Sequence, residues 1–468
     1  MVNAFLLAAL AASATPHADR LDTLCAPLRQ GAAIDLAGIS YRPEQAHAPG
    51  QALAAVDARQ SMLLLPDGRF LLRTSNLYPG DIEFRYRTLG DSDGERTVDE
   101  LGWRDGDVLQ QDDAATTARD LADLRMLAPG LLACDALMRA GGGATTTGET
   151  LAFKDGAGRE VILAFDASGD LASARQGAEI YRYEAWSTRQ GVRLPARIVH
   201  ARDDRERERW TQVRARPAQD RDTALLSLPD GYRPADPPSP LRATPLGAGA
   251  YRIDGAPSGY HTGFVVGENG IVLFDAPIAV EEAETVRAVI ERTAPGRPIR
   301  HVVVSHVHGD HVAGLPAYRD AEVLTGAGGA DALRRQLGDR LPARVREVTQ
   351  AETIDLGDRR IRVLPLASHH AATMLVGFDP ASGALFQGDL FYIPERGAVP
   401  VAFTTGRELI ALIDTARLDV RTLVGVHGRS GTPRDLHDAV ARIPAVNDRG
   451  CVGEQMTGTK PCWPSPGE

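Results

Sequence analysis

Seven consecutive residues, Ser305-His306-Val307-His308-Gly309-Asp310-His311, constrain this chain more than any other part of it. Three imidazoles and a carboxylate follow directly on an apolar run, His301–Val304, that reads as the end of a buried strand. A strand end is a rigid base from which a loop can present side chains at a sheet edge. In an extended or turning segment, residues i and i+2 aim at one point, so His306 and His308 can hold one ion together. Past the small Gly309 the chain can turn, so that Asp310 and His311 face a second point. Imidazole nitrogens and carboxylate oxygens are the donors that zinc takes at about 2.0–2.2 Å. More histidines follow. Of the 12 in the chain, His17, His47 and His200 precede residue 250, and nine lie beyond it. The two halves of the chain therefore do different work.

Composition bounds the alternatives. The chain has 468 residues, 43% apolar and 24% charged, which suits a protein with a real core and excludes a collagenous or wholly disordered one. No apolar run reaches the roughly 18–20 residues of a membrane-spanning helix. The net charge of −10 argues against a nucleic-acid partner, which needs a basic surface. Lys154 and Lys460 are the only lysines, so Schiff-base chemistry is not expected. Cys25, Cys134, Cys451 and Cys462 show neither zinc-ligand spacing nor a Cys-x-x-Cys motif. Their even count permits disulfides, and a Cys451–Cys462 bridge would order a Gly/Pro-rich tail. At the N-terminus the apolar run Ala4–Ala12 leads to the small-x-small site Ala12-Ser13-Ala14. It predicts a signal peptide over 1–14 and a periplasmic or secreted protein, cytoplasmic if the segment is not cleaved.

The clearest boundary is Arg233–Pro240, four prolines in eight residues, which favours an extended linker over 234–244. Residues 15–233 read as a strand-rich domain. Gln60–Leu65 and Arg69–Thr74 flank the turn Pro66-Asp67-Gly68, and Ile82–Thr88, Val161–Phe165 and Ile180–Trp186 are further strands. A helix is predicted over Leu121–Met138, interrupted near Pro129-Gly130, and Arg202–Arg209 reads as a solvated turn or strand face. After the linker, strands alternate with helices at Val280–Thr293, Gly328–Leu337, Glu408–Arg417 and Pro433–Ile443, which implies layered α/β architecture over 245–443. Residues 444–468 form a tail.

The segment His306-x-His308-x-Asp310-His311 resembles the signature of the metallo-β-lactamase-fold hydrolases, and the resemblance covers roughly Pro245–Ile443. Ile271–Asp275 resembles the strand and aspartate before that family's metal loop, Leu385–Leu390 its Gly-Asp segment, and Leu423–Gly428 the strand ending in its last histidine ligand. The resemblance implies an αβ/βα sandwich. It implies one site of His306, His308 and His370, a second of Asp310, His311 and His427, and Asp389 bridging two zinc ions, with iron or manganese as alternatives. His369 competes for the place of His370. The family's aromatic and proline offsets, met here by Phe378 and Pro380, select His370 and leave His369 as a pocket residue. His261 and Tyr392 are further pocket candidates, Tyr392 as a phenol for an oxyanion.

The activity so implied is hydrolysis of an ester, lactone, thioester or amide of a small molecule. A metal-bridging hydroxide oriented by Asp310 would attack the carbonyl. The Gly-Asp segment favours the esterase, lactonase and thioesterase branches over the β-lactamases. An iron-dependent redox enzyme of the sulfur-dioxygenase type and a non-catalytic metal-binding accessory protein are the other readings. The N-terminal half resembles the antiparallel sheet of lipoprotein-carrier proteins through Tyr181–Trp186, Gly191–Pro195 and Leu226–Tyr232.

Overall fold

A computed structural model describes residues 17–43, 45–51, 53–78, 82–139 and 143–443. The expected signal peptide and the Cys451–Cys462 bridge lie outside the described residues. The N-terminal half builds one sheet of 14 strands. From one edge it runs Arg233–Pro234, Val108–Asp113, Gly94–Asp99, Ile82–Asp91, Phe70–Tyr78, Leu53–Leu64 and Ala32–Pro43. It continues through Arg205–Pro217, Val192–Arg202, Glu179–Arg189, Leu171–Gln176, Glu160–Phe165, Thr150–Lys154 and Thr145–Thr147. Most neighbours are sequential antiparallel strands, as the turn signals require. Leu64 pairs with Phe70 across the Pro66-Asp67-Gly68 turn. Arg202 pairs with Arg205 across Asp203 and Asp204, whose φ of 49° and 60° match the twisted two-residue hairpin turn. The charge run is therefore a hairpin tip. Of the two non-sequential joins, Arg233–Pro234 with Val108–Asp113 and Ala32–Pro43 with Arg205–Pro217, the second closes the two halves of the sheet into one.

Helices cover part of this sheet. The predicted 121–138 helix is two, Ala114–Met126 and Pro129–Arg139, because proline at 129 cannot continue the first ladder and suits the opening turn of the second. Asp113 caps the first by accepting from the Thr116 N–H at 2.8 Å. Ala18–Cys25 lies beside Pro129–Arg139, and their Leu24, Leu131 and Leu132, with Leu28 of the following turn, share a core with Leu163, Tyr183 and Trp210 of the sheet. A disulfide joins Cys25 to Cys134 across 109 residues of sequence. Among the described residues no helix is long and apolar enough to cross a membrane.

The C-terminal part packs two sheets. One has seven strands ordered Arg242–Gly247, Ala250–Asp254, Thr262–Gly267, Gly270–Phe274, Ile299–Val303, Glu322–Thr325 and Arg344–Glu347. The other has five, Glu352–Asp355, Arg360–Leu366, Met374–Asp379, Ala384–Gly388 and Thr422–Gly425. Their facing sides meet in a core centred on Phe274 and Phe386, stacked 4.0 Å apart. Helices cover the outer sides. Val280–Thr293 buries Ala283, Val286, Val289 and Ile290, the stripe its spacing predicts. Thr404–Ala416 and Pro433–Ala441 cover the five-stranded sheet, the latter opened by a Thr432/Asp435 capping box. The proline-rich segment begins as an edge strand, with Arg233 and Pro234 opposite Val108 and Leu109. Edge placement suits a residue without an N–H.

The large sheet docks on this sandwich. Ile82 and Trp103 form an apolar seam with Tyr392 and Phe403, Trp103 lying edge-on to Phe403 at 4.5 Å. Beside it Arg396 donates to the Asp107 carboxylate at 2.7 Å and to the carbonyls of Arg233 and Pro234. Gly106, at φ 60°, lies where a Cβ would come within 1.9 Å of the Arg396 carbonyl oxygen, so the close approach needs glycine.

Closing a loop of this length constrains the unfolded chain, so replacing Cys25 and Cys134 by alanine is expected to cost about 3–5 kcal/mol. Urea unfolding of the variant against the parent under oxidising conditions measures it, and coincident midpoints would contradict the stabilising role.

Candidate metal centre

The donors converge because parallel strands of both sheets end at one place. Ile299–Val303 runs parallel to Gly270–Phe274 and delivers Ser305–His308, after which the short helix Gly309–Val312 turns Asp310 and His311 inward. Ala384–Gly388 runs parallel to Thr422–Gly425, and the two deliver Asp389 and His427. His370 comes from the loop between Arg360–Leu366 and Met374–Asp379. The turn into Asp389 needs Gly388. Its φ is 61°, and a Cβ there would stand 2.6 Å from Ser305 Oγ.

Two ligating groups result, His306/His308/His370 and Asp310/His311/Asp389/His427, each with its donor atoms within 4.8 Å of one another. In the first, His306 Nε2 lies 2.9 Å from His308 Nδ1 and 3.0 Å from His370 Nε2. In the second, Asp389 Oδ2 is 3.2 Å from His311 Nε2, and Asp389 Oδ1 is 3.5 Å from His427 Nε2. Asp310 Oδ2 is 3.8 Å from His311 Nε2 and 3.9 Å from His427 Nε2. Asp389 Oδ2 also lies 3.5 Å from His370 Nε2, so this carboxylate stands between the groups.

The surroundings orient each ring. The His308 Nε2–H points at the Ala46 carbonyl, 3.2 Å away, which leaves Nδ1 as the free donor atom. Asp275 lies 3.5 Å from His311 Nδ1 and accepts from the Ser305 N–H at 2.7 Å. It does so from a left-handed backbone at φ 59°, an unusual conformation for an aspartate. The Tyr392 hydroxyl donates to Asp389 Oδ2 at 2.7 Å, and its ring stacks on His427 at 5.0 Å. Tyr260 donates to Asp310 Oδ2 at 3.2 Å, and Gln45 Nε2 to Asp310 Oδ1 at 2.6 Å.

The donor set fits divalent ions. His311 Nε2, His370 Nδ1 and Asp389 Oδ1 are buried without a hydrogen-bond partner, and two of these three atoms belong to the donor cluster. An orphaned buried polar atom is costly unless something binds it. Burial, with the neighbouring His311, His308 and His370, holds His306 far below the usual imidazole range, and His308 is pushed down to about 3 by burial and His370. Neutral imidazole is the metal-binding form. Burial also opposes charge on Asp389, but His311 and His427 outweigh it and hold the carboxyl well below its usual range. His311 moves the other way. Burial disfavours its charge, yet Asp389 and Asp310 outweigh it and raise the imidazole well above its usual range.

Three expectations for the pocket change. His369 is exposed and turns its Nδ1 to Glu408, away from the donors, because only one residue of the doublet can face inward from an extended loop. The Tyr392 hydroxyl is committed to Asp389 rather than aimed at an oxyanion. His261 is buried behind the wall, between the Ile253 carbonyl and Glu395. Gln45, Ala46 and Tyr260 were missed. Gln45 and Ala46 belong to a segment that crosses from the N-terminal half onto the donors and is pinned there by further bonds. The His47 ring meets the Ser368 carbonyl at 2.9 Å, the Ala372 N–H donates to the His47 carbonyl at 2.8 Å, and Arg335 donates to the Pro49 carbonyl. No local pattern in 45–49 signals this role.

Residues 256–438 match the metallo-beta-lactamase superfamily, and the C-terminal part of the chain has that fold. No curated protein sequence matches the chain. Among solved structures, the sec-alkylsulfatase Pisa1 from Pseudomonas sp. matches at 16% identity and TM-score 0.36, over 42% of this chain and 41% of that one. A metallo-beta-lactamase from Pontibacter korlensis matches at 20% identity and TM-score 0.35, over 43% and 98%. The flavodiiron protein from Giardia intestinalis matches at 18% identity and TM-score 0.35, over 44% and 59%. The chain spans about two-fifths of the length of the alkylsulfatase it matches.

Protein purified without added metal is expected to carry bound divalent ions, and His306→Ala with Asp310→Ala to lose them, by elemental analysis. Removing an outer-shell partner commonly weakens metal affinity about 10–100-fold, and Gln45→Ala is expected to do so. Competition with a chromogenic chelator measures it, and an unchanged affinity would remove Gln45 from the centre.

Proposed function

We propose that the metallo-beta-lactamase superfamily domain at residues 256–438 is a dinuclear, zinc-dependent hydrolase of an ester, lactone, thioester or amide carbonyl in a small molecule. The observation that carries this reading is the pair of ligating groups with Asp389 standing between them. His306 Nε2, His308 Nδ1 and His370 Nε2 would hold one ion; Asp310, His311 and His427 would hold the other. Bound divalent ions would supply Lewis acidity toward the carbonyl and a water acidic near pH 7.

The protein's own groups then do the positioning. Asp310, fixed by Gln45 on one oxygen and Tyr260 on the other, orients the attacking water by accepting its hydrogen bond. Tyr392 and Asp275 keep Asp389 and His311 in place. No protein nucleophile is required. Ser305 Oγ faces His306 Nδ1 and His311 Nδ1, and Ser258 Oγ donates to Glu282 at 2.6 Å. We further place the chain in an oxidising compartment, periplasmic or secreted. The Cys25–Cys134 bridge supports that placement.

A screen of lactones, thioesters, aryl esters and β-lactams, with and without chelator, tests the reading. Metal-ion catalysis is worth several kcal/mol, so chelation is expected to lower turnover of the accepted class by about 10³-fold, with zinc restoring it. Stoichiometric iron together with oxygen-dependent turnover would replace the hydrolase by a redox enzyme.

A further inference from the structure

A cavity of about 650 Å³ opens beside the donors, and its wall is shared between the two halves of the chain. Tyr260, Glu395 and the candidate ligand His427 line it from the metal domain; Tyr86, Arg104 and Asp105 line it from the N-terminal sheet. Arg104 is held on a rigid loop. The buried Asp99 carboxylate accepts from the N–H groups of Leu101, Gly102, Arg104 and Asp105 at 2.8–3.2 Å. Trp103, the residue before it, is locked in the apolar seam against Phe403. Among the described residues the Arg104 guanidinium makes no hydrogen bond or ion pair; the groups within its electrostatic reach are the phenols of Tyr86 and Tyr260, the adjacent Asp105 carboxylate and the phenol of Tyr392. Those phenols include both tyrosines that donate to the candidate ligands Asp310 and Asp389. The Asp105 carboxylate in turn lies within electrostatic reach of Arg104, its strongest favourable neighbour, and of the Tyr86 phenol.

An arginine on an open surface without a partner is unremarkable. This one is also exposed, but it stands on a preorganised loop at a cavity that presents the candidate ligand His427, with none of its five donors in a hydrogen bond. We propose that the N-terminal sheet is the substrate-recognition wall of the metal centre, and that Arg104 binds an anionic group, such as a carboxylate, carried by the substrate away from its scissile bond. This rests on the hydrolase reading for the reaction, but the recognition of charge can be measured apart from it.

The test uses the full-length, metal-loaded chain and two readouts. The first is hydrolysis of matched esters or lactones that differ only in a remote carboxylate or its neutral amide. The second is calorimetric binding of benzohydroxamate and 4-carboxybenzohydroxamate, where the hydroxamate faces the metals in both and the added carboxylate reads the far wall. A hydrogen bond to a charged group is worth roughly 1.5–3 kcal/mol, so the carboxylate is expected to improve kcat/KM and affinity by about 10–100-fold. Arg104→Ala should bring both ratios close to one, acting through KM, and Arg104→Lys should restore part of them. Arg96→Ala, paired with Asp91 on the other side of the Gly94–Asp99 strand, should leave both ratios as in the parent. A parent that prefers the neutral member, or a preference that survives Arg104→Ala, overturns the proposal and leaves the hydrolase reading intact. A carboxylate gain in binding that Arg104→Ala removes, in a protein that hydrolyses nothing, supports the proposal and overturns the hydrolase. Failure of both hydroxamates to bind overturns both.

Discussion

Five imidazoles and two carboxylates, five of the seven buried, are held within reach of one another at the ends of three strands and on one loop. Such a cluster is unfavourable by itself. Desolvation penalises each charge, and neutral imidazoles set nitrogen to nitrogen at 2.9–3.0 Å have little to offer one another. A divalent cation would resolve the conflict, because it would meet the carboxylate charge and give the neutral imidazoles a partner. Much of the local architecture reads as support for that arrangement: Asp275 in its left-handed backbone, Gly388 under Ser305, and Tyr392 behind Asp389.

That support extends beyond the metal domain. The segment 45–49 places Gln45 on Asp310 and the Ala46 carbonyl on His308, so two donors owe their orientation to the N-terminal half. The apolar seam around Trp103 and the Arg396–Asp107 pair hold the large sheet against the sandwich. Tyr392 belongs to both arrangements, packing in the seam through its ring and reaching Asp389 through its hydroxyl. Docking of the two halves and geometry of the centre are therefore coupled, and the cavity between them has walls of different origin.

Local pattern was a good guide wherever local physics decides. The amphipathic stripe of Val280–Thr293, the turn at Pro66-Asp67-Gly68 and the break at Pro129 all follow from neighbours in sequence. Pairing of Ala32–Pro43 with Arg205–Pro217 does not, because strands of similar composition are interchangeable until the sheet assembles. The same holds for the disulfide. Four cysteines permit several pairings, and it is the packing of Ala18–Cys25 on Pro129–Arg139 that brings Cys25 to Cys134.

By itself the sequence determined the donor types, their spacing after a strand, and the order in which the remaining donors follow, since metal ligation needs those chemical groups and a motif of neighbours records them. The offsets of Phe378 and Pro380 had already pointed to His370, but tertiary structure alone decided that His369 turns out to Glu408, that Tyr392 serves Asp389, and that His261 lies behind the wall. It also brought Gln45, Ala46 and Arg104 to a centre more than two hundred residues away in the chain. A glutamine, an alanine carbonyl and an arginine are chemically ordinary. Only the docking of one half on the other gives them a partner, and that docking depends on surfaces assembled from distant strands, which no short segment encodes.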